Sequence, residues 1–340
     1  MSASGPRRAA RSVITCPLMR LGLVLLAAVL AQAATLVEKT AYKGWPNCYR
    51  ITNGTVELIV TTDVGPRVIR YGFVGGENEF LEDPAQVGKT GGNEWRAYGG
   101  HRLWHSPEAM PRTYWPDNVP VKTESIPGGL RLIQPVEGTT GIQKEIEVRL
   151  AEEGSRVHLI HRLRNQGQWA VDLAPWALTV MAPGGVGIFP LPPRGTHEEN
   201  LLPTSRIGMW AYTDFSDPRW QLGFRYLLLR QDPKAKTPQK IGLAIPDGWA
   251  AYLRGDHLFL KKFAFQKDAH YPDFGMNVES FTNAQMLELE TLGPLNNLGP
   301  GAVAEHTEHW FLYRGVRWEK QNDDGVIQAI LPRVKESQLP

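Results

Sequence analysis

The sequence predicts an all-β protein that forms a large antiparallel sandwich with few or no long helices. Apolar and polar residues alternate with a period of two over several segments between 129 and 182, as is typical of strands that bury one face. The chain contains 34 Gly and 26 Pro among 340 residues, which fits many turns and short strands. No segment up to residue 182 shows the 3.6-residue apolar period of a surface helix.

Residues 1–33 are predicted to be a signal peptide. Four arginines precede an apolar run over 21–31, and Ala31-Gln32-Ala33 matches an A-x-A cleavage site. The apolar run is shorter than the ~20 residues that a membrane span requires. Cleavage after Ala33 predicts a periplasmic or secreted protein with no stable membrane insertion. A retained membrane anchor is the alternative, because signal peptides and anchors share this pattern.

The rest of the chain is close to neutral. Because the leader contains four of the 37 basic residues and no acidic one, 33 basic residues face 35 acidic ones after cleavage. This balance argues against nucleic acid or an anionic membrane surface as partner. Cys16 lies in the leader, so Cys48 would be alone and no internal disulfide is expected. One large β domain over 34–318 with a tail over 319–340 is feasible at this length.

The first elements are a hairpin and a strand. Asn53-Gly54 is the strongest two-residue turn signal, and it predicts a hairpin over Tyr49–Val60. Arg67–Val74 is the next strand and ends at Gly75-Gly76. Residues 82–120 then form a long segment rich in Gly, Pro and Trp, which we predict to be irregular. Loops of this length are usually functional or disordered, and the aromatic content argues against disorder.

The later elements are also predicted to be strands. Ile142, Ile146 and Val148 share one face of a strand, and further strands follow up to Tyr313. Lys234–Lys240 is predicted to be a basic surface turn. A short terminal helix is expected over Asp324–Ile330 with Asp324 as its cap. Strands at about 8–12-residue spacing with one buried face indicate a sandwich or barrel.

The stretch Glu94–Glu108 is the leading candidate for a functional site. It combines aromatic, basic, acidic and imidazole side chains around Gly99-Gly100. A pocket for a polar, ring-shaped ligand needs aromatic faces to stack on, charges that form hydrogen bonds, and glycines that let the backbone approach. The site residues predicted from this stretch are Arg96, His101, Arg102, Trp104, His105 and Glu108.

His101 and His105 also allow a metal site to be considered. On a helix, their i, i+4 spacing would present both rings to one ion. Gly99-Gly100 before them and Pro107 after them leave little room for a helix, and the glutamate of the zinc-protease pattern is absent. We therefore predict no metal and no cofactor. The plain alternative is that one ring packs in the core while the other bonds a loop.

A second candidate lies on a late strand. Glu288 and Glu290 would share one strand face, where two neighbouring carboxylates raise each other's pKa and can yield a base that works near neutral pH. The alternative is an ordinary solvated outer face. Asp273 and Glu279 are further candidates for binding ligand hydroxyls. The G-x-S-x-G, P-loop and G-x-G-x-x-G motifs and Cys clusters are absent from the sequence, which removes the common hydrolase, nucleotide and iron–sulfur classes.

Several segments resemble a known superfamily. Val64–Ile69, Leu289–Thr291 and Leu298–Gly301 are similar to elements of the aldose 1-epimerases, the galactose mutarotase-like family. The segments that more closely resemble its uncharacterised branch, the domain-of-unknown-function family DUF4380, are Gly99–Trp104 with Pro107-Glu108, Ala174–Met181 and Leu287–Pro294. The resemblance covers most of residues 45–315.

The resemblance implies a β-supersandwich with a carbohydrate-binding face. In the mutarotases a Glu takes the proton from the anomeric hydroxyl while a His protonates the ring oxygen. Carried over, this makes Glu290 the base, His101 the acid, and Arg102 or Arg96 a residue that holds the sugar. Ala174–Ala177 stands where the family carries a second His.

Three functions follow as hypotheses. The first is an exported aldose epimerase or mutarotase. The second is a non-catalytic carbohydrate-binding protein that stacks sugars on Trp95, Trp104 and Trp176. The third is a polysaccharide lyase or hydrolase, which would normally need a further catalytic domain. The expected partner in the first two is a sugar or oligosaccharide.

Overall fold

The computed structural model of the chain describes residues 1–5 and 35–339. The apolar run and cleavage site of the predicted signal peptide lie outside the described residues. In chain order, the strands are β1 Leu36–Tyr42, β2 Trp45–Thr52, β3 Val56–Thr61, β4 Arg67–Phe73, β5 Gly100–Ser106, β6 Lys122–Ile126, β7 Gly129–Ile133, β8 Ile142–Leu150, β9 Val157–Asn165, β10 Val171–Met181, β11 Val186–Pro190, β12 Ile207–Met209, β13 Trp220–Leu222, β14 Tyr226–Arg230, β15 Gln239–Leu243, β16 Trp249–Arg254, β17 His257–Phe263, β18 Val278–Thr282, β19 Leu287–Leu292, β20 Asn296–Leu298 and β21 Val303–Tyr313.

These strands form two antiparallel sheets, which confirms the predicted sandwich. The first sheet has the order β1-β2-β3-β4-β5-β10-β19-β18-β15-β12, and β20 pairs with β10 at its side. The second has the order β13-β14-β11-β16-β17-β21-β9-β8-β7-β6. Buried side chains from both sheets, such as Leu58 and Val68 of the first and Leu159 and Phe259 of the second, belong to one hydrophobic core. That core packs the first sheet against the second.

The Asn53-Gly54 hairpin is confirmed. β2 pairs with β3 in antiparallel register, and Gly54 has a φ of 84°. The side-chain oxygen Oδ1 of Asn53 accepts hydrogen bonds from the backbone N–H of Thr55 at 3.0 Å and of Val56 at 3.2 Å. Its amide also donates to the carbonyl oxygen of Ala151 at 2.8 Å, which ties the turn to the other sheet.

The prediction that residues 82–120 are irregular throughout is wrong, because they contain β5. This strand lies in the middle of the first sheet, between β4 and β10. A Cβ atom at Gly99 would lie 2.0 Å from the Leu81 carbonyl oxygen, and one at Gly100 would lie 2.4 Å from that of Val68. The two glycines therefore let the strand enter the sheet. Every residue of β5 is buried. Because polar residues lie on both faces of this strand, its sequence lacks the alternation of apolar and polar residues that predicts a strand.

The chain ends in a helix that differs from the prediction in its cap and length. A short turn, α1, spans Pro272–Gly275, and the terminal helix runs through α2 Asp323–Gly325, a π segment Val326–Ile330 and α3 Leu331–Glu336. Asn322, not Asp324, is the cap, since its side chain accepts from the Gly325 N–H at 3.0 Å. Valines and isoleucine of this helix pack on the outer face of the second sheet.

Two further features concern cysteine and membranes. Within residues 35–339, Cys48 is free and buried. No helix in the described part of the chain combines the length and the apolar character needed to cross a membrane.

Candidate functional site

Five neighbouring strands of the first sheet, β5, β10, β19, β18 and β15, carry a cleft on their outer face. The strand registers place Arg102, Leu178, Glu290 and Glu279 in one row across four of them. A cavity of about 320 Å³ lies above this face. Its lining residues are Trp95, Ala97, Arg102, Trp104, Glu108, Tyr114, Trp176, Leu178, Tyr212, Lys240, Phe281, Asn283, Met286, Glu288 and Glu290.

Glu290 is the most buried carboxyl group that lines the cleft, with 1% of its surface exposed. The indole N–H of Trp176 donates to its Oε2 at 2.9 Å, whereas its Oε1 has no hydrogen-bond partner among the described residues. Burial raises the pKa of Glu290 to about 7, because removal from water and the neighbouring Glu288 charge outweigh the opposing effect of Lys240. A carboxyl group with this pKa can accept and return a proton near neutrality.

Lys240 lines the cleft, so the prediction of a basic surface turn over Lys234–Lys240 is wrong for this residue. It lies in β15, and its ammonium is 2.9 Å from Glu279, 3.7 Å from Glu290 and 3.8 Å from Glu108. It also lies 4.7 Å from the ring centre of Trp176. Burial disfavours the ammonium, but the carboxylates of Glu290 and Glu279 outweigh this effect and raise the pKa of Lys240. The side chain is therefore a fixed positive charge in the cleft.

Arg102 supplies the second positive charge. Its guanidinium carbon lies 4.3 Å from the ring centre of Trp104 and 5.1 Å from that of Trp95. One of its Nη atoms is 3.3 Å from Glu288. These stacking and ion-pair contacts fix the guanidinium plane at one end of the cleft.

Aromatic rings form the wall beside Arg102. The ring centres of Trp104 and Trp176 are 5.3 Å apart, and those of Trp104 and Tyr114 are 4.9 Å apart, in edge-to-face arrangements. The Tyr114 hydroxyl donates to the carboxylate of Glu108. This wall offers apolar ring faces beside hydrogen-bonding groups, a combination that suits a polar ring-shaped ligand.

The structure brings six of the ten predicted site residues together in the cleft. They are Arg102, Trp104, Glu108, Trp176, Glu288 and Glu290. The alternative in which Glu288 and Glu290 form a solvated outer face is wrong, because both carboxylates are buried. Lys240 and Tyr212 also line the cleft and were not predicted.

The structure does not place His101 in the cleft. Side chains alternate between the two faces of a strand, so His101 points to the interior of the sandwich while Arg102 points to the cleft. The imidazole is fully buried, with Nε2 2.7 Å from His161 Nε2 and Nδ1 2.8 Å from the Thr179 hydroxyl. Burial lowers its pKa well below the usual value. His101 and Glu290 therefore cannot face one sugar from opposite sides in this arrangement.

His105 also faces the interior, next to a different charge pair. Its Nε2 lies 3.4 Å from Glu137, which in turn lies 2.6 Å from Lys144. His101 and His105 are four residues apart on an extended strand, about 13 Å at 3.3 Å per residue. The alternative in which both rings hold one ion is therefore excluded by the strand that carries them.

Arg96 and Asp273 lie outside the cleft lining. The Arg96 guanidinium donates to the Gly91 carbonyl oxygen at 2.8 Å and to the Tyr98 hydroxyl at 3.2 Å, so it holds the loop that leads into β5. Asp273 lies in α1 with a φ of 50°. Among the described residues, neither Arg96 nor Asp273 forms a hydrogen bond with the carboxylates at the centre of the cleft.

A buried polar network lies behind the cleft, between the sheets. The His161 Nδ1–H donates to the His306 carbonyl oxygen at 3.0 Å, so His161 accepts from His101 at its other nitrogen. Lys261 lies 2.9 Å from Glu308 and donates to the Leu289 carbonyl oxygen at 3.0 Å. His101, His161 and Glu308 carry ligand-type atoms close together. Lys261 already supplies the positive charge that balances Glu308, so the network is closed without an ion.

The fold is that of the galactose mutarotase-like proteins. The chain is similar to a galactose mutarotase-like protein from Lactobacillus casei, with a TM-score of 0.54 and 11% identity over 78% of this chain and 100% of that one. It is also similar to a candidate aldose 1-epimerase from Klebsiella pneumoniae, with a TM-score of 0.55 and 13% identity over 88% of this chain and 87% of that one. No family model and no curated protein matches the sequence.

Proposed function

We propose that the chain is an exported carbohydrate-active protein that binds a sugar in the cleft and interconverts its anomers, with Glu290 as the acid/base. The observation that carries the proposal is a buried carboxyl group with a pKa near 7 that lines an aromatic-walled cleft. Ring opening requires removal of the proton from the anomeric hydroxyl, and an ionised Glu290 can accept it. The same carboxyl group can return the proton when the ring closes.

The proton for the ring oxygen needs a donor other than His101. No histidine is among the described residues that line the cleft. Tyr212 lies there, and burial raises its pKa to about 12, so its hydroxyl keeps its proton at neutral pH. We propose that Tyr212 hydrogen-bonds the ring oxygen, in the place that the resemblance assigned to a histidine. It gives its proton to that oxygen as the bond to the anomeric carbon breaks, and takes the proton back when the ring closes.

A non-catalytic carbohydrate-binding protein is the second candidate. The absence of a histidine from the described cleft lining favours it, since a sugar would still stack on the tryptophans. Polarimetry on freshly dissolved anomers separates the candidates. If every hexose that binds relaxes at the uncatalysed rate, the epimerase proposal fails and the binding function remains.

Sugar binding is tested at Trp104. Trp104→Ala removes one ring of the wall and the nearer of the two rings that stack on Arg102. We therefore expect sugar affinity to fall about 10- to 100-fold, as for loss of a ring contact and its burial. Titration calorimetry with a panel of hexoses measures it. Trp169→Ala is the matched control, because Trp169 is 80% exposed and lies outside the cleft. Equal affinity of the two variants would contradict the placement of the sugar.

Export and the finer family assignment are also part of the proposal. We infer that the chain belongs to the DUF4380 branch and is cleaved after Ala33 to give a periplasmic or secreted protein. Expression of the full chain in a bacterial host with N-terminal sequencing tests the cleavage. Ala34 is expected as the first residue of the exported form, and an intact N-terminus in the membrane fraction would indicate a retained anchor.

A further inference from the structure

Carboxyl groups outnumber positively charged side chains in the described lining of the cleft. The lining contains three carboxyl groups, Glu108, Glu288 and Glu290, against Arg102 and Lys240. Glu279 adds a fourth carboxyl beside them, because it pairs with Glu290 across the neighbouring strands and lies 2.9 Å from Lys240. Because burial and the neighbouring carboxyl groups raise the pKa of Glu290, a ligand with a positive charge would favour its ionised form, and an anionic ligand would oppose it.

Both cations of the cleft are already paired with protein groups. Lys240 has Glu279, Glu290 and Glu108 within 4 Å of its ammonium. Arg102 is stacked on Trp104 and pairs with Glu288. At the donors that form these ion pairs, the phosphate or carboxylate of an acidic sugar would have to displace a carboxylate of the protein.

Two buried polar atoms of the described cleft lining lack a hydrogen-bond partner, the donor Nε of Arg102 and the acceptor Oε1 of Glu290. Glu290 Oε1 lacks a hydrogen-bond donor although the side chain is only 1% exposed. A buried carboxylate oxygen without a donor costs free energy, so a ligand that donates to it gains affinity. An ammonium group is the strongest donor for this position, since its bond to the carboxylate is charge-assisted and the surrounding indole rings attract cations.

We propose that the cleft prefers an amine-bearing sugar, a hexose with a free ammonium group that bonds Glu290, over the neutral hexose, and that it excludes uronic acids and sugar phosphates. This inference rests on the proposed function only in that the ligand is a sugar. It follows from the excess of carboxyl groups, the ion pairs that both cations already form and the free acceptor on Glu290.

Titration calorimetry with the full-length mature protein at about pH 7 tests the inference. The probes are glucosamine and galactosamine, their parent hexoses, N-acetylglucosamine, glucuronate and glucose 6-phosphate. We expect the amino sugars to bind at least about tenfold more tightly than the parent hexoses, and the two acidic sugars to bind most weakly. N-acetylglucosamine, which keeps the nitrogen but loses the charge, should bind no better than the neutral hexose.

The outcomes separate this inference from the proposed function. Equal binding of glucose and glucosamine, or tightest binding of an acidic sugar, overturns the inference and leaves sugar binding intact. Failure of every sugar to bind overturns both. Glu290→Gln is expected to reduce the affinity ratio of amino to neutral sugar, whereas Trp169→Ala should not change it. An unchanged ratio in Glu290→Gln would show that the ammonium group does not bind Glu290. Glu288→Gln then tests whether it binds the neighbouring carboxylate.

Discussion

Glu290→Gln is expected to lower the rate of mutarotation by about 10²- to 10⁴-fold, the usual contribution of a positioned acid/base group. Glutamine keeps the shape of the side chain and can still accept a hydrogen bond from Trp176 at its carbonyl oxygen, but it cannot accept a proton. The initial rate of optical rotation change in a fresh solution of a single anomer measures this effect. Wild-type rates in the variant would remove Glu290 from the mechanism.

The pH profile gives an independent check of the same residue. Because the pKa of Glu290 is raised to about 7, its ionised form accumulates only as the pH rises through that value, and activity should increase with it. Glu288→Gln is the matched control, since it removes the adjacent carboxylate that contacts Arg102 and leaves the proposed base in place. It should shift the midpoint of the profile downward, because a neighbouring negative charge is lost.

Stability measurements distinguish loss of the base from loss of the fold. A carboxyl whose pKa rises from 4.5 to about 7 on folding binds its proton more tightly in the folded state. The native state therefore loses stability as the pH rises from 4.5 to about 7, and it loses none below pH 4.5. We expect Glu290→Gln to unfold in urea at the same concentration as wild type or higher above pH 7.

The period of two in the sequence was enough to predict much of the sandwich. The Asn53-Gly54 turn and the paired strands β8 and β9 follow from local chemistry, because one face of each strand is apolar. The period of two does not predict β5, where Arg102 and Trp104 face the cleft while His101 and His105 face the interior. With polar residues on both faces, the sequence shows no apolar alternation there.

The cleft could be predicted only in part, for a related reason. The sequence predicts that Glu288 and Glu290 share one face, because they lie two residues apart on a single strand. Lys240 is 50 residues from Glu290 in the chain, and only the sheet order β19-β18-β15 brings them together. The strand predicted to begin at Ile241 could have been extended back to Lys240. Ile241 and Leu243 would then lie on one face of the strand and Lys240 on the other. The resemblance suggested His101 as the acid, but the side chain lies on the opposite face of its strand.

The second large effect is expected in the network behind the cleft. Glu308 and Lys261 are fully buried and 2.9 Å apart. Burial opposes ionisation of Glu308, but the Lys261 ammonium outweighs it and holds the pKa of this carboxyl well below its usual range. The Trp310 indole N–H donates to Glu308 at 2.8 Å, and the Thr291 hydroxyl donates to it as well. The network therefore contacts Leu289 and Thr291, the residues on either side of Glu290.

Lys261→Met is expected to lower the free energy of unfolding by about 3–5 kcal/mol, because it leaves the Glu308 charge buried without its partner. Urea denaturation at neutral pH measures the loss. The double variant Lys261→Met with Glu308→Leu removes both charges and should recover part of the stability, since a buried ion pair contributes little relative to apolar groups of similar volume. If the double variant lost the sum of the two single losses, the pair would not be coupled.

Lys261 and Thr291 hold the strand on both sides of Glu290. Lys261→Met should therefore also shift the midpoint of the pH–activity profile. Trp169→Ala should change neither this midpoint nor the free energy of unfolding.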